Sequence, residues 1–366
     1  MVRVLQELST LDGGGVAKLL YDYYRNMDHN KIYFDFVISS YYDKGIYEDY
    51  FIEEGCKIFK IVKKTENKRK YLKQIEDIID KGDYDVIHSH YGIYADEVMQ
   101  IAKKHNIKKR IIHSHIAYEP IPSIQKAKNI IHKAIALSNA TDLFACGRDA
   151  GIYMWGKKAV ESGKVHIMKN AVDTSIFAFS KDKRIEKRKE LGVEDKFVIG
   201  IVGRLSEQKN YPFLWRVYKK VLEKRNDTAL VVVGRGTEEK EIKSLAEKMG
   251  IYDNINFLGV RDDVHELLNA MDLFVLPSLY EGLPVVLVEN QSNGLMSFAS
   301  DKITNEMAVT DLVKFLPIEG TEDQWAEEIC NYKPSIENRE FYRQQIIDNG
   351  YDIKSASLEM QNFYLK

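Results

Sequence analysis

Short runs of β-branched and aromatic residues alternate with longer amphipathic stretches along this whole chain, and that alternation restricts the fold to βα units on parallel sheets. In the first half, strands are expected at Val2–Leu8, Tyr33–Ile38, Ile58–Ile61, Asp85–His88, Arg110–His113, Leu143–Ala145 and Val165–Met168. The second half predicts Phe197–Val202, Ala229–Val233, Ile255–Leu258, Leu273–Leu276, Ser297–Ala299 and Val313–Leu316. A run such as Val198-Ile199-Gly200-Ile201-Val202 is apolar almost throughout, as burial beneath helices on both faces requires. Stretches such as Val16–Asn26, Tyr71–Ile79 and Asp96–Lys104 have the spacing to supply those helices.

At 366 residues the chain exceeds what one core comfortably serves. The charge-dense stretch Ser180–Lys189 marks the expected division, giving α/β domains of Rossmann-like type over 1–180 and 181–350 and a helix in 351–366. Ligands of such sheets gather beyond the carboxyl ends of the strands, so two domains facing across a cleft would make one deep site. A hydrophobic content of 45% argues against disorder. Net charge is close to zero and the basic excess is confined to 101–150, which argues against a nucleic-acid partner. Three scattered cysteines without metal-ligand spacing fit a reducing cytoplasm. With neither a signal pattern nor a run of ~18 apolar residues, a cytoplasmic protein is expected.

The densest cluster of candidate chemistry follows the strand Leu273–Leu276. A loop, Pro277–Glu281, leads through Gly282 and Leu283 to Pro284, which suits a helix start, and the helix would stop near Gly294. Open amides from Gly282 onward could receive a diphosphate, with Glu281 before the helix and Glu289 inside it able to accept from sugar hydroxyls. Equally, Glu281 could only complement the helix dipole and Glu289 could be a solvated helix residue.

A second cluster, Gly203-Arg204 and Lys209-Asn210, sits where a buried strand gives way to a helix. A guanidinium fork and a point charge there can neutralise a diphosphate leaving group, though solvated loop cations are the default reading of such residues. Gly13-Gly14-Gly15 after the first strand permits close backbone approach to a ligand, or is simply a tight turn. Gly234 ends another strand and would line the same cleft. Two His-x-His pairs, His88/His90 and His113/His115, close strands in the first half, and in each pair both rings share a face. They read as packed residues or as metal ligands lacking an identifiable further partner. Asp83-Tyr84-Asp85 mimics a metal-binding Asp-x-Asp signature, but it precedes a strand and reads as a turn.

Glu281 and Glu289 with Gly282-Leu283-Pro284 between them, after Asp272-Leu-Phe-Val-Leu-Pro-Ser278, resemble the retaining family-4 glycosyltransferases of the GT-B fold. The resemblance spans nearly the whole chain. It implies that Glu281 contacts the donor sugar, Glu289 the ribose, and Arg204 and Lys209 the phosphates. Gly14 and Gly15, Gly203, Gly234, Gly282 and Leu283 would then line the donor site. Phe257–Arg261, with Val260, resembles the loop that reads the base, although an ordinary surface loop fits it nearly as well. His115, with His113 as the fallback, matches the histidine near the transfer centre. Where the family often carries Glu or Gln, this chain has Ala17, and Asn170-Ala171-Val172-Asp173 has Ala in place of Gly, which would be strained if position 171 needed a positive φ.

The family reading implies a helix crossing back to the first domain and a metal-independent, retaining transfer in which a nucleotide-sugar, UDP above all, is co-substrate. A hexosyl or N-acetylhexosaminyl group would pass to a glycan or lipid-linked acceptor, because Val16–Met27 and Ser300–Glu306 resemble bacterial capsule and exopolysaccharide members. No cofactor and no metal are expected. The basic, partly apolar stretch Pro122–Ser138, beside Lys103–Arg110, suits peripheral contact with the inner membrane face, and suits a packed helix with solvated lysines just as well. Rival readings are a sugar-nucleotide epimerase of the same architecture and a non-catalytic glycan- or nucleotide-binding protein.

Overall fold

A computed structural model of the chain describes residues 1–12, 15–39, 44–115 and 123–366. It divides into two units, one made of Met1–Ala171 with Ile353–Lys366 and the other of Val172–Asp352. Among the described residues every expected strand is present, to within about one residue at each end.

In the first unit the strands are β1 (Val2–Leu8), β2 (Ile32–Ile38), β3 (Ile58–Lys60), β4 (Val86–Ser89), β5 (Lys109–Ser114), β6 (Asp142–Ala145) and β7 (Val165–Ile167). They form one parallel sheet in the order β3-β2-β1-β4-β5-β6-β7. The order reverses between β1 and β4, the place where such a sheet leaves a crevice at its carboxyl edge. Aromatic packing fills one face: Tyr24 stacks on Phe34 at 4.7 Å and Phe36 lies 4.3 Å from Phe51. The helix Ile353–Leu365 belongs to this core, burying Ile353, Met360 and Tyr364.

The second unit holds β8 (Phe197–Val202), β9 (Thr228–Val233), β10 (Ile255–Gly259), β11 (Leu273–Leu276), β12 (Ser297–Ser300) and β13 (Val313–Leu316). Their order, β10-β9-β8-β11-β12-β13, is again all parallel, with its reversal between β8 and β11. The helix Tyr211–Lys224 packs Phe213, Trp215 and Tyr218 into the core, and Trp215 satisfies its indole N–H on the Ile242 carbonyl at 2.9 Å. Trp325 does the same on Pro317 at 2.7 Å, as a buried indole must.

The division falls earlier than the charge-dense stretch suggests. Ser180–Lys189 is not a linker but most of a helix, Lys181–Leu191, capped by Ser180 and stopped by left-handed Gly192. Buried Arg188 and nearly buried Arg184 converge on Asp272, at 3.1 and 2.5 Å, and Asp272 also accepts the Val198 amide at 2.8 Å. Two cations of this stretch are thus counterions of one buried carboxylate. The chain enters and leaves this unit side by side: Val172 pairs with Asp352 as an isolated parallel bridge, and Thr174 Oγ1 donates to Asp352 at 2.6 Å.

Asp83-Tyr84-Asp85 leads directly into β4, and the side chains of Tyr84 and Asp85 are used in packing contacts. Asp85 accepts the Arg3 amide at 3.0 Å and Tyr84 donates to Asp35 at 2.8 Å. Among the described residues the only non-glycine positive φ values belong to Asn106 and Asn210, so Ala171 sits without the strain a left-handed position would impose.

Candidate functional site

In the second unit the loops after β8 and β11 hold each other. Lys209 ends a 3-10 turn, Glu207–Lys209, and its Nζ lies 2.6 Å from Glu281 Oε1, with both side chains nearly buried. Ser278 Oγ donates to the same oxygen at 2.6 Å, and Gln208 Nε2 donates to the other at 3.0 Å. Gln208 also donates to the Tyr280 carbonyl, and its own carbonyl accepts the Leu279 amide. Glu281 is therefore held in one orientation, with acceptor capacity left on Oε2 for a ligand hydroxyl.

Glycines make this approach possible. A Cβ at Gly203 would meet Lys209 Cε at 2.7 Å, so the lysine chain crosses the space that a side chain would fill. At Gly234, with φ +131°, a Cβ would come within 2.0 Å of the Gly203 carbonyl oxygen. The two loops lie backbone to backbone there, with Gly203 N–H donating to Val233 and Leu205 N–H to Arg235. Arg204, by contrast, is exposed and has no partner among the described residues.

The helix near Glu281 runs Val285–Ser292, with Pro284 as its cap rather than its first turn, and Gly294 takes the left-handed stop at φ +68°. The Val285 amide already donates to Leu283, so this start offers fewer free amides than its sequence suggests. Glu289 is half-buried in this helix, Gly282 is exposed, and Val260 is exposed beyond left-handed Gly259.

In the first unit His115 is gathered with the other three strand-end histidines. His90 Nδ1 is 2.9 Å from His115 Nε2, and His88 Nε2 is 3.2 Å from His113 Nδ1. Beyond them His88 Nδ1 meets Tyr364 Oη at 2.7 Å and His90 Nε2 meets Gln6 Oε1 at 3.0 Å, while Gln6 donates to Tyr364. Burial pushes the His88 imidazole down to about 3 and His115 down to about 4, and holds His90 and His113 well below the usual range. The four rings are neutral at neutral pH, so His115 can exchange hydrogen bonds but is not a standing cation.

His90 and His115 border a cavity of about 820 Å³ within this unit, walled also by Tyr94, Asn129, Ile130 and Tyr153. Its mainly apolar walls with a few polar groups have the character of an organic-ligand site. Gly15 opens the helix Gly15–Tyr24, and a Cβ there would meet nothing within 4 Å among the described residues, whereas Gly14 lies outside them. Sequence reasoning missed the supports of the expected residues. Ser278 and Gln208 lie beside recognised positions and could have been proposed from that adjacency; nothing local points to Gln6 or Tyr364.

Residues 13–176 match Glycosyltransferase Family 4, and residues 182–352 match Glycosyl transferases group 1. The putative glycosyltransferase EpsF of Bacillus subtilis (strain 168) is 31% identical over 369 residues, spanning 99% of this chain and 96% of that protein. The capsular polysaccharide biosynthesis glycosyltransferase CapH of Staphylococcus aureus is 25% identical over 379 residues, spanning 100% and 99%. Among solved structures, Anabaena HepE in complex with UDP has a TM-score of 0.73 at 16% identity, covering 100% of this chain and 96% of its own. With both halves matched and EpsF aligned almost end to end, the chain belongs to the glycosyltransferases of GT-B fold, and it is a transferase enzyme.

Proposed function

We propose that this enzyme is a retaining glycosyltransferase that moves a hexosyl or N-acetylhexosaminyl group from a UDP-sugar to a hydroxyl of a glycan or lipid-linked acceptor in surface-polysaccharide synthesis. The observation that carries the reading is the nearly buried Lys209–Glu281 pair, locked by Ser278 and Gln208 at the carboxyl edge of a Rossmann-like sheet. A carboxylate and an ammonium so placed suit the sugar and the phosphate of one donor. UDP in HepE and the capsular role in CapH's name support the choice of nucleotide and of pathway class.

In this mechanism Glu281 accepts hydrogen bonds from the donor sugar and Glu289 from the ribose. Arg204, Lys209 and the Gly282–Leu283 backbone hold the diphosphate, with Gly234 and Val260 at the rim. The bond from the anomeric carbon to the phosphate oxygen breaks as the acceptor oxygen attacks the same face, and the acceptor proton passes to the departing phosphate. His115 hydrogen-bonds sugar or acceptor in its neutral form. The acceptor is assigned to the cavity of the first unit.

The helix Ser123–Asn139 exposes Ile130 at 71% and Ile131 at 63% alongside Lys126 and Lys128, which supports a peripheral role at an anionic membrane surface; Pro122 lies outside the described residues. Among the described residues no helix is long and apolar enough to cross a membrane. Steady-state kinetics of Glu281→Gln and Lys209→Ala, with the anomeric configuration of the product read by NMR, tests the assignment. Near-normal transfer in both variants, or an inverted product, overturns it.

A further inference from the structure

The sheet of the first unit places two His-x-His pairs on neighbouring parallel strands, with His88 of β4 opposite Ile111 of β5. Residues two apart on a strand face the same way, so adjacent pairs collect four imidazoles in one group. One ring nitrogen each from His88, His90 and His113 lie within 4.8 Å of one another. His113 is wholly buried, and its Nε2 has no partner among the described residues.

We propose that His88, His90 and His113 form a binding site for a borderline divalent transition-metal cation such as zinc, with His115 at its edge.

Imidazole suits zinc, nickel and copper, and three histidines with an open fourth position are a recurrent zinc set. Two such ligands at about 2.1 Å from a tetrahedral ion stand roughly 3.4 Å apart. His88 and His113 are already at 3.2 Å through Nε2 and Nδ1. Closing the widest separation needs about 1.4 Å of movement, within reach of ring rotation.

The outer nitrogens supply an independent argument. A ligating histidine ordinarily has its second ring nitrogen held by an oxygen, which fixes the ring plane and the tautomer. His88 has Tyr364 Oη for that purpose and His90 has Gln6 Oε1, at 2.7 and 3.0 Å. Those two oxygens are themselves joined by the Gln6-to-Tyr364 hydrogen bond, so the outer shell is a connected frame. His113 has no such partner: with Nδ1 turned toward His88, its outer nitrogen Nε2 is unpaired among the described residues. The ion would tie β4 to β5 beside the cavity that His90 and His115 line.

The test uses the full untagged chain, stripped with EDTA, dialysed and titrated with cobalt chloride in a non-coordinating buffer, without donor or acceptor. Because binding is read directly, its outcome is separate from that of the transfer assignment. The expected result is one saturable equivalent with the intense visible bands of four- or five-coordinate cobalt, displaced by zinc. Tyr364→Phe should weaken binding about 10- to 100-fold, and His113→Asn should abolish the bands while circular dichroism stays native. Absence of the bands in the unaltered protein identifies the cluster as a metal-free hydrogen-bonded ladder and overturns the proposal. Unchanged affinity in His113→Asn assigns the metal to other histidines and overturns it too. Should His113→Asn not fold, Tyr364→Phe decides, and unchanged affinity there is the refuting result.

Discussion

Lys209 reaches Glu281 at 2.6 Å across a space that Gly203 leaves empty. The ion pair therefore depends on a residue that contributes no functional group to it. Before any ligand arrives, the cation assigned to phosphate and the carboxylate assigned to sugar neutralise one another in a nearly buried setting. A bound donor would have to meet both groups without leaving either buried and uncompensated.

Gly203→Ala should displace the lysine chain while leaving the sheet intact. We expect transfer to fall by about 10- to 100-fold, equivalent to roughly 1.4–2.7 kcal/mol, and the melting temperature to fall slightly because alanine is strained at the Gly203 φ of +157°. Gly234→Ala meets a carbonyl oxygen rather than a flexible chain, so it should instead destabilise the unit by about 1–3 kcal/mol. Kinetics and thermal melts on the two variants separate these outcomes.

Asp272 balances Arg184 and Arg188 in a setting with little water. Asp272→Ala leaves two cations facing each other and frees the Val198 amide. The expected cost is about 3–5 kcal/mol, read as a lower urea midpoint. A change below about 1 kcal/mol would mean that the cations relax to solvent instead.

Asp263 makes one of the acid-sensitive contributions to the second unit. Its hydrogen bond to the Arg261 guanidinium, helped by Lys187, holds its carboxyl well below the usual carboxylate range. With the folded-state pKa depressed, the pair's stabilisation is complete above the unfolded value of about 4 and is lost as pH falls below it. Urea midpoints measured from pH 7 downward should fall below about pH 4, and more shallowly in Asp263→Asn, which loses about 1 kcal/mol at neutral pH.

For the helix Ser123–Asn139, replacing Ile130 and Ile131 together by Asp should remove sedimentation with vesicles rich in anionic lipid, at no cost in stability because both side chains are exposed. Binding that survives this change while vanishing at high salt would place the contact on the lysines alone.

The strands were legible because their β-branched runs are buried on both faces, and the Glu281 loop because strand, turn and helix start follow one another locally. What escaped was long-range. The cations of Lys181–Leu191 gave no sign that Asp272 would bury two of them, since charge in a sequence is indifferent to its partner's distance. The hydroxyl that fixes His88 comes from Tyr364, 276 positions away, and no local spacing rule connects them. Pro284 shifted by one position because the Leu283 carbonyl captures the Val285 amide before the helix begins.

The Val172–Asp352 bridge has a consequence for synthesis on the ribosome. The second unit is continuous in sequence and its two ends are hydrogen-bonded neighbours, so it can close as soon as Asp352 has emerged. The first unit, although translated first, lacks Ile353, Met360 and Tyr364 until Ile353–Lys366 follows. Vectorial order is thus broken: the half made earlier must wait, with part of its apolar face uncovered, for its own segment Ile353–Lys366, made after the other half.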